Sequence, residues 1–260
     1  MSTKSALGAI GLASLISITS LQTNAEFLDF TVDETPYGGT LLTVDKLNGG
    51  YSEKLTFDGA GGFVTTGFAT IGQLFSNEGT TDRGSDSVIG DSYQIYAIFK
   101  SAGTVSAVNS DITQFNANNG SIELYLDRNN DTSGTLGATA LDDVTLSNDS
   151  DDFMLASTFD LAQGTGLLTG AGGFFDLLFE NVVLSDVNNG GKGSDYFVSP
   201  DPFHIRVNVD GDFDTFDPTG TQTITGDVSA VFVPEPGSLA ILGVAAMGLG
   251  LSSRSKRKKA

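Results

Sequence analysis

Oxygen-bearing side chains at alternate positions are the strongest chemical signal in this chain of 260 residues. Asp127, Asn129, Asp131 and Ser133 stand at i, i+2, i+4 and i+6, with Gly134 closing the run. That spacing lets one loop wrap a hard cation, because calcium takes about six to eight oxygen ligands. The run is not an EF-hand loop. Thr132 occupies the sixth position, where a glycine makes the sharp turn, and Ala138 stands where a bidentate Glu belongs. An Asx-rich hairpin turn is the plainer reading of the same residues. Asp210, Asp212 and Asp214 form a second candidate, flanked by Phe213 and Phe216, and Asp149, Asp151 and Asp152 a third. Calcium is the cofactor that these patterns suggest.

Catalytic patterns are weaker. The single histidine, His204, sits beside Arg206 on the solvent face of an expected strand, where a surface role outweighs a triad role. No Gly-x-Ser-x-Gly elbow is present, and the absence of cysteine removes thiol nucleophiles and Cys-ligated metals. Glycoside hydrolysis needs only two carboxylates about 5–9 Å apart, and Glu53, Glu123 and Glu180 are the candidates. There is no tryptophan to stack on sugar rings. Tyr51, Tyr93, Tyr96 and Tyr125 could stack instead, although aromatic residues alternating along strands more often pack a core. No glycine loop follows a strand and opens a helix in the manner of a phosphate site. No catalytic residues are expected.

These candidates must be positioned by strands. Period-two alternation runs through 93–100, 121–127, 204–209 and 226–233: Ile95, Ala97 and Phe99 share one face, and Ile122, Leu124 and Leu126 another. Further strands are expected at 40–47, 51–57, 62–69, 104–108, 153–158, 174–184 and 196–198. Between them, Asn48-Gly49-Gly50, Asn118-Asn119-Gly120, Asn188-Asn189-Gly190-Gly191 and Asp210-Gly211 read as hairpin turns. Gly170–Gly173 reads as a turn and 77–91 as a long loop. No sustained helical period appears between Glu26 and Val233. The expected fold class is all-β, a single antiparallel β-sandwich or jelly-roll-like domain over residues 26–233.

The two ends carry different instructions. Lys4, the uncharged run Ala6–Ile18 and the small residues Thr23-Asn24-Ala25 form a secretory signal peptide over 1–25, with cleavage expected between Ala25 and Glu26. At the other end Pro234-Glu235-Pro236 precedes an apolar run from Gly237 to Leu251 and a basic stop of Arg254, Lys256, Arg257, Lys258 and Lys259. Fifteen helical residues reach roughly 22 Å against a hydrocarbon core of about 30 Å, so this is a short transmembrane segment. Its basic cluster would stay in the cytoplasm and leave the body outside.

Residues 1–25 and 234–260 together hold six of the 13 basic residues and one of the 32 acidic ones. The body therefore keeps 7 basic and 31 acidic residues, a net charge of −24. Such a body repels nucleic acid and anionic membranes and attracts divalent cations.

Val233-Pro234-Glu235-Pro236-Gly237-Ser238-Leu239-Ala240, the glycine-rich run and the basic tail resemble the PEP-CTERM sorting domain, over about a tenth of the chain. The resemblance implies export, anchoring in the membrane only until an exosortase acts, and a place at the cell surface or in the extracellular matrix of a Gram-negative bacterium. Its partners would be signal peptidase, exosortase and an exopolysaccharide matrix. A weaker likeness covers most of the body. Phe30–Glu34, Tyr51-Ser-Glu53, Tyr93-Gln-Ile-Tyr96, Leu124–Asp127, Tyr196-Phe197, Pro200-Asp-Pro202-Phe203 and Ile224–Asp227 are similar, in that order, to the flocculation-associated PEP-CTERM proteins. It implies a non-enzymatic role in floc or biofilm formation with exopolysaccharide. The alternatives are a secreted polysaccharide hydrolase and a carbohydrate-binding module.

Overall fold

The structure, a computed structural model, describes residues 27–187, 190–200 and 205–233. In chain order the strands are β1 (Phe30–Asp33), β2 (Leu41–Val44), β3 (Lys46–Phe57), β4 (Gly62–Ser76), β5 (Thr81–Asp82), β6 (Gln94–Ala107), β7 (Ile112–Asp127), β8 (Ser133–Thr135), β9 (Thr145–Ser147), β10 (Phe153–Thr158), β11 (Asp160–Thr169) and β12 (Gly172–Leu184). A short helix α1 (Gly193–Tyr196) leads into β13 (Phe197–Ser199), and β14 (Ile205–Phe213) and β15 (Thr221–Val233) end the fold.

The large sheet is a meander that closes on itself. β3 pairs with β4, β4 with β6, β6 with β7, β12 with β14, β14 with β15, and β15 returns to β3, all antiparallel. The remaining gap, between β7 and β12, is filled by β10 and β11, which pair with both neighbours. Only Phe159 separates those two, so they act as one bent strand. Counting them so, eight strand positions make a closed up-and-down barrel. The antiparallel all-β class is therefore as the alternation indicates. A sandwich or jelly roll is not what the registers describe, because each strand pairs with its neighbours in sequence and the last with the first. Closure removes the exposed edges that an open sheet would leave.

Alternation decides which side faces in. Along β3, Leu47, Tyr51, Glu53 and Leu55 are buried in the barrel, while Ser52 and Lys54 face out. Ile224 and Val228 of β15 point inward between exposed Thr223, Thr225 and Asp227. An apolar interior and a polar wall are the reverse of a membrane-spanning barrel, whose lipid-facing band is apolar. Among the described residues no helix is long and apolar enough to cross a membrane.

The two ends of the barrel differ. One is plugged by the small sheet β13-β1-β2, where Phe30, Phe197 and Phe232 meet with ring centroids 4.3–5.9 Å apart. Buried Glu34 ties this plug to the loop before β6. It accepts hydrogen bonds from the Ser87 hydroxyl at 2.6 Å, the Tyr93 hydroxyl at 2.7 Å and the Val88 amide at 3.2 Å. At the other end the connections are short: 58–61, 108–111, 170–171 and 214–220.

Several expected turns lie inside strands. Asn48-Gly49-Gly50 is in β3, Asn118-Asn119-Gly120 in β7 and Asp210-Gly211 in β14. Close approach across the ladder is the reason glycine stands there. A Cβ on Gly49 would lie 1.8 Å from the Thr70 carbonyl oxygen, and one on Gly211 would lie 2.6 Å from the Phe175 ring. Gly170-Ala171 does separate β11 from β12.

Candidate metal centre

The connection from β7 to β10 carries the small β8–β9 hairpin across the outer wall of the barrel. It covers an aromatic row in which Phe68 lies 5.4 Å from Tyr96, and Tyr96 stacks on Tyr125 at 5.1 Å and 9°. The Thr66 hydroxyl anchors the connection by donating to the Ala140 carbonyl at 2.7 Å. Without this cover, the end of β7 would face solvent. With it, Asp127 is fully buried and only 6 % of Asp152 is exposed.

Three carboxylates converge beneath that connection. One oxygen each from Asp127, Asp151 and Asp152 lie within 4.8 Å of one another. Asp127 closes its own loop, accepting from the Asn129 amide at 3.2 Å and the Thr132 amide at 2.8 Å. Asp152 Oδ2 accepts from the Tyr96 and Thr132 hydroxyls, each at 2.8 Å. Its Oδ1 is buried and has no hydrogen-bond partner. Burial holds the Asp152 carboxyl above the usual carboxylate range, and the charges of Asp127 and Asp151 push the same way against the two hydroxyl donors.

A buried oxygen without a partner, among carboxylates that repel one another, suits a hard divalent cation. The ion would supply the missing charge and turn the repulsion into attraction. The three side chains offer fewer oxygens than calcium needs, so waters would complete the shell.

The structure sorts the candidates read from the sequence. Asp127 is in the cluster, but Asn129 and Asp131 are not. The Asn129 amide merely closes an Asx turn, while exposed Asp131 offers its carbonyl to the Asn148 side chain at 3.1 Å. Asp127 joins Asp151 and Asp152, which lie in a different acidic run of the sequence. The Asp210, Asp212 and Asp214 candidate straddles the end of a strand, with Asp214 opening the 214–220 connection. Asp210 and Asp212 are exposed members of β14, and among the described residues they belong to no group of three carboxylates close enough to share an ion. Asp151 and Asp152 belong to the third acidic run of the sequence, and the antiparallel pairing of β10 with β7, which sets Phe153 opposite Leu126, brings them to Asp127.

Of the carboxylates considered for glycoside hydrolysis, Glu53 and Glu123 do not face one cleft. Glu53 projects into the barrel, whereas Glu123 is on the outer wall, where it accepts from the Tyr125 hydroxyl at 3.4 Å. Tyr51, Tyr93 and Tyr96 are buried, and Tyr125 is stacked on Tyr96, so these four rings form no exposed platform for sugars. His204, Ala25, Glu26, Pro234, Glu235, Pro236 and the basic residues Arg254 and Lys256 to Lys259 lie outside the described residues.

Fold and site together define an all-β barrel protein with a polar wall and a cation-receptive carboxylate centre. Residues 232–258 match the PEP-CTERM protein-sorting motif, so the chain carries the C-terminal sorting signal of exported proteins processed by an exosortase. No curated protein matches the chain. Among solved structures, it aligns with Ail, the attachment invasion locus protein of Yersinia pestis, at 12 % identity and a TM-score of 0.17, over 72 % of this chain and 95 % of that one. The Ail complex with the heparin analogue sucrose octasulfate aligns at 11 % identity and a TM-score of 0.16, over 72 % and 96 %. Such scores bear on neither fold nor function.

Proposed function

We propose that this is an exported surface or matrix protein that holds cells together in flocs or biofilms with exopolysaccharide, as a binding module rather than an enzyme. The observation that carries this reading is the sorting motif at 232–258, which directs the barrel out of the cell. The wall of the barrel and the carboxylate centre fit the rest of the proposal. A body of net charge −24 approaches an anionic polymer only through cations, and Asp127, Asp151 and Asp152 provide a place for calcium to bind and stabilise the connection that covers the wall. The candidate carboxylates Glu53 and Glu123 are divided by that wall, which favours binding over hydrolysis.

The test is a strain lacking this chain, compared with one complemented by it, in floc sedimentation with and without a calcium chelator. The complemented strain should settle faster, and chelator should remove most of the difference. Equal settling of the two strains would overturn the proposal. Incubating the purified protein with the strain's exopolysaccharide separates the hydrolase reading, since only an enzyme releases reducing ends.

A further inference from the structure

The short-turn end of the barrel holds a carboxyl that the metal centre does not use. Glu53 stands on the inward face of β3 between Tyr51 and Leu55, with 8 % of its surface exposed. Among the described residues no hydrogen bond or ion pair reaches its carboxyl. It lines a cavity of about 50 Å³ whose walls include the rings of Phe63, Phe99, Phe115, Phe175 and Phe213. The Thr65 and Ser101 hydroxyls also face this space but satisfy each other at 2.9 Å. Glu53 is thus the polar group of the cavity left without a partner.

We propose that this cavity binds a compact organic cation, an alkylated ammonium group, with Glu53 as its counter-ion and the phenylalanine rings as its walls. Three observations select this ligand class. A buried, unpaired carboxyl escapes the cost of its charge by keeping its proton, and only a cation can stabilise its ionised form: an apolar ligand offers that form no partner and an anion opposes it. Phenylalanine faces attract a desolvated cation through their quadrupoles. The loops around this end carry Asp58, Asp111, Asp214 and Asp217 and no lysine or arginine, so the rim draws cations inward. The free space holds about four water-sized groups, the size of a methylated ammonium head.

Burial pushes the Glu53 carboxyl up to about 8, so it carries its proton in the free protein at pH 7. No other carboxylate, lysine, arginine or histidine lines the cavity. Tyr51, its neighbour on β3, is held above the usual tyrosine range by burial and donates to the Asp212 carbonyl at 2.9 Å. Binding the cation would therefore ionise Glu53 and release its proton to the buffer.

The full chain, purified in non-ionic detergent, is titrated calorimetrically with tetramethylammonium chloride, with tert-butanol as the uncharged control of similar size. One saturable site is expected, tightening about tenfold per pH unit between roughly pH 6 and 8 and levelling above about 9. Near pH 7 the heat should vary with the ionisation enthalpy of the buffer, as proton release requires. Glu53→Gln should weaken binding at pH 9 at least tenfold and remove its pH dependence. Phe115→Leu, which keeps the carboxyl and an apolar wall, should weaken it several-fold, with circular dichroism confirming that both variants are folded. No saturable binding at pH 9, equal binding of tert-butanol, or unchanged binding by Glu53→Gln would overturn the assignment.

Discussion

Asp152 concentrates the chemistry of the carboxylate centre in one residue. Its folded-state pKa is raised, so the folded protein holds the proton more tightly than the unfolded chain does. The sign follows: its contribution to stability is fully present below the unfolded value near 3.8 and is lost as pH rises through the raised folded value. At neutral pH without metal, Asp152→Asn should therefore stabilise the protein, read as a higher melting temperature, because a neutral amide keeps the shape without the repulsion. Calcium should raise the melting temperature of the unmodified protein and leave that of Asp152→Asn nearly unchanged. A calcium shift of equal size in both proteins would remove Asp152 from the site. Glu53 obeys the same sign over a wider window, from the ordinary value of 4.5 up to about 8. The stability of Glu53→Gln relative to the unmodified protein should rise across that interval and approach about 3 kcal/mol near pH 7, an upper figure since the amide is also buried without partners. Urea titrations at pH 5 and pH 7 check this, and a difference that does not change with pH would show that Glu53 is ionised throughout. The sequence made Asp127 and Glu53 visible as candidates but not their settings. The alternation that places Tyr51 and Leu55 inward also places Glu53 inward, which a surface catalytic reading overlooks. Asp127 and Asp152 meet only because the intervening connection folds back over the wall, and nothing in the spacing of either run encodes that return.

At the scale of the strands, glycine does opposite work at different places, which is why the turn signals were ambiguous. Gly170 lies in the turn between β11 and β12, while Gly67 lies in the middle of β4 and faces Phe99 across the β4–β6 pair. A Cβ on Gly67 would come within 2.0 Å of the Phe99 ring. The glycine gives the ring space, and the ring covers the backbone that glycine exposes. Gly67→Ala should destabilise the barrel by about 2 kcal/mol through overpacking, read as a lower urea midpoint at an unchanged slope. Gly72→Ala is the control, since a Cβ there meets nothing within 4 Å; equal effects from both substitutions would exclude the Phe99 contact as the cause. The same ambiguity explains which strands could be read from the sequence. Ile95–Phe99 and Ile122–Leu126 alternate without interruption and appear as expected. β11 carries no clear alternation, because Gly164 and Gly166 break the apolar face between Leu161 and Leu168. The sequence pattern divides β6 into 93–100 and 104–108, and the register of the single strand shifts between them, at Ala102/Gly103.

At the scale of the whole molecule, closure depends on the last strand, and the sorting segment begins inside it. The matched motif starts at Phe232, while β15 runs to Val233 and pairs with Arg206 there. Phe232 packs on Phe30 at 4.3 Å, and its carbonyl accepts the Leu28 amide at 2.8 Å. Pro234 follows at once in the sequence, and proline cannot donate to a ladder. This arrangement lets a protease remove the apolar run and the basic tail without opening the barrel. It also fixes where cleavage is tolerated. Mass spectrometry of the protein from culture and cell-surface fractions should show a C-terminus at or beyond Val233 and before Arg254. A surface protein that retains Lys256–Lys259 would count against processing and leave the segment as an anchor. Truncation provides the complementary test. A chain ending at Val233 should melt close to the full-length protein, whereas one ending at Val231 loses the Phe232 ring from the plug and should be about 3 kcal/mol less stable. Equal stability of the two truncations would show that the plug does not hold the barrel closed, and the boundary between barrel and sorting signal would then lie earlier than Phe232.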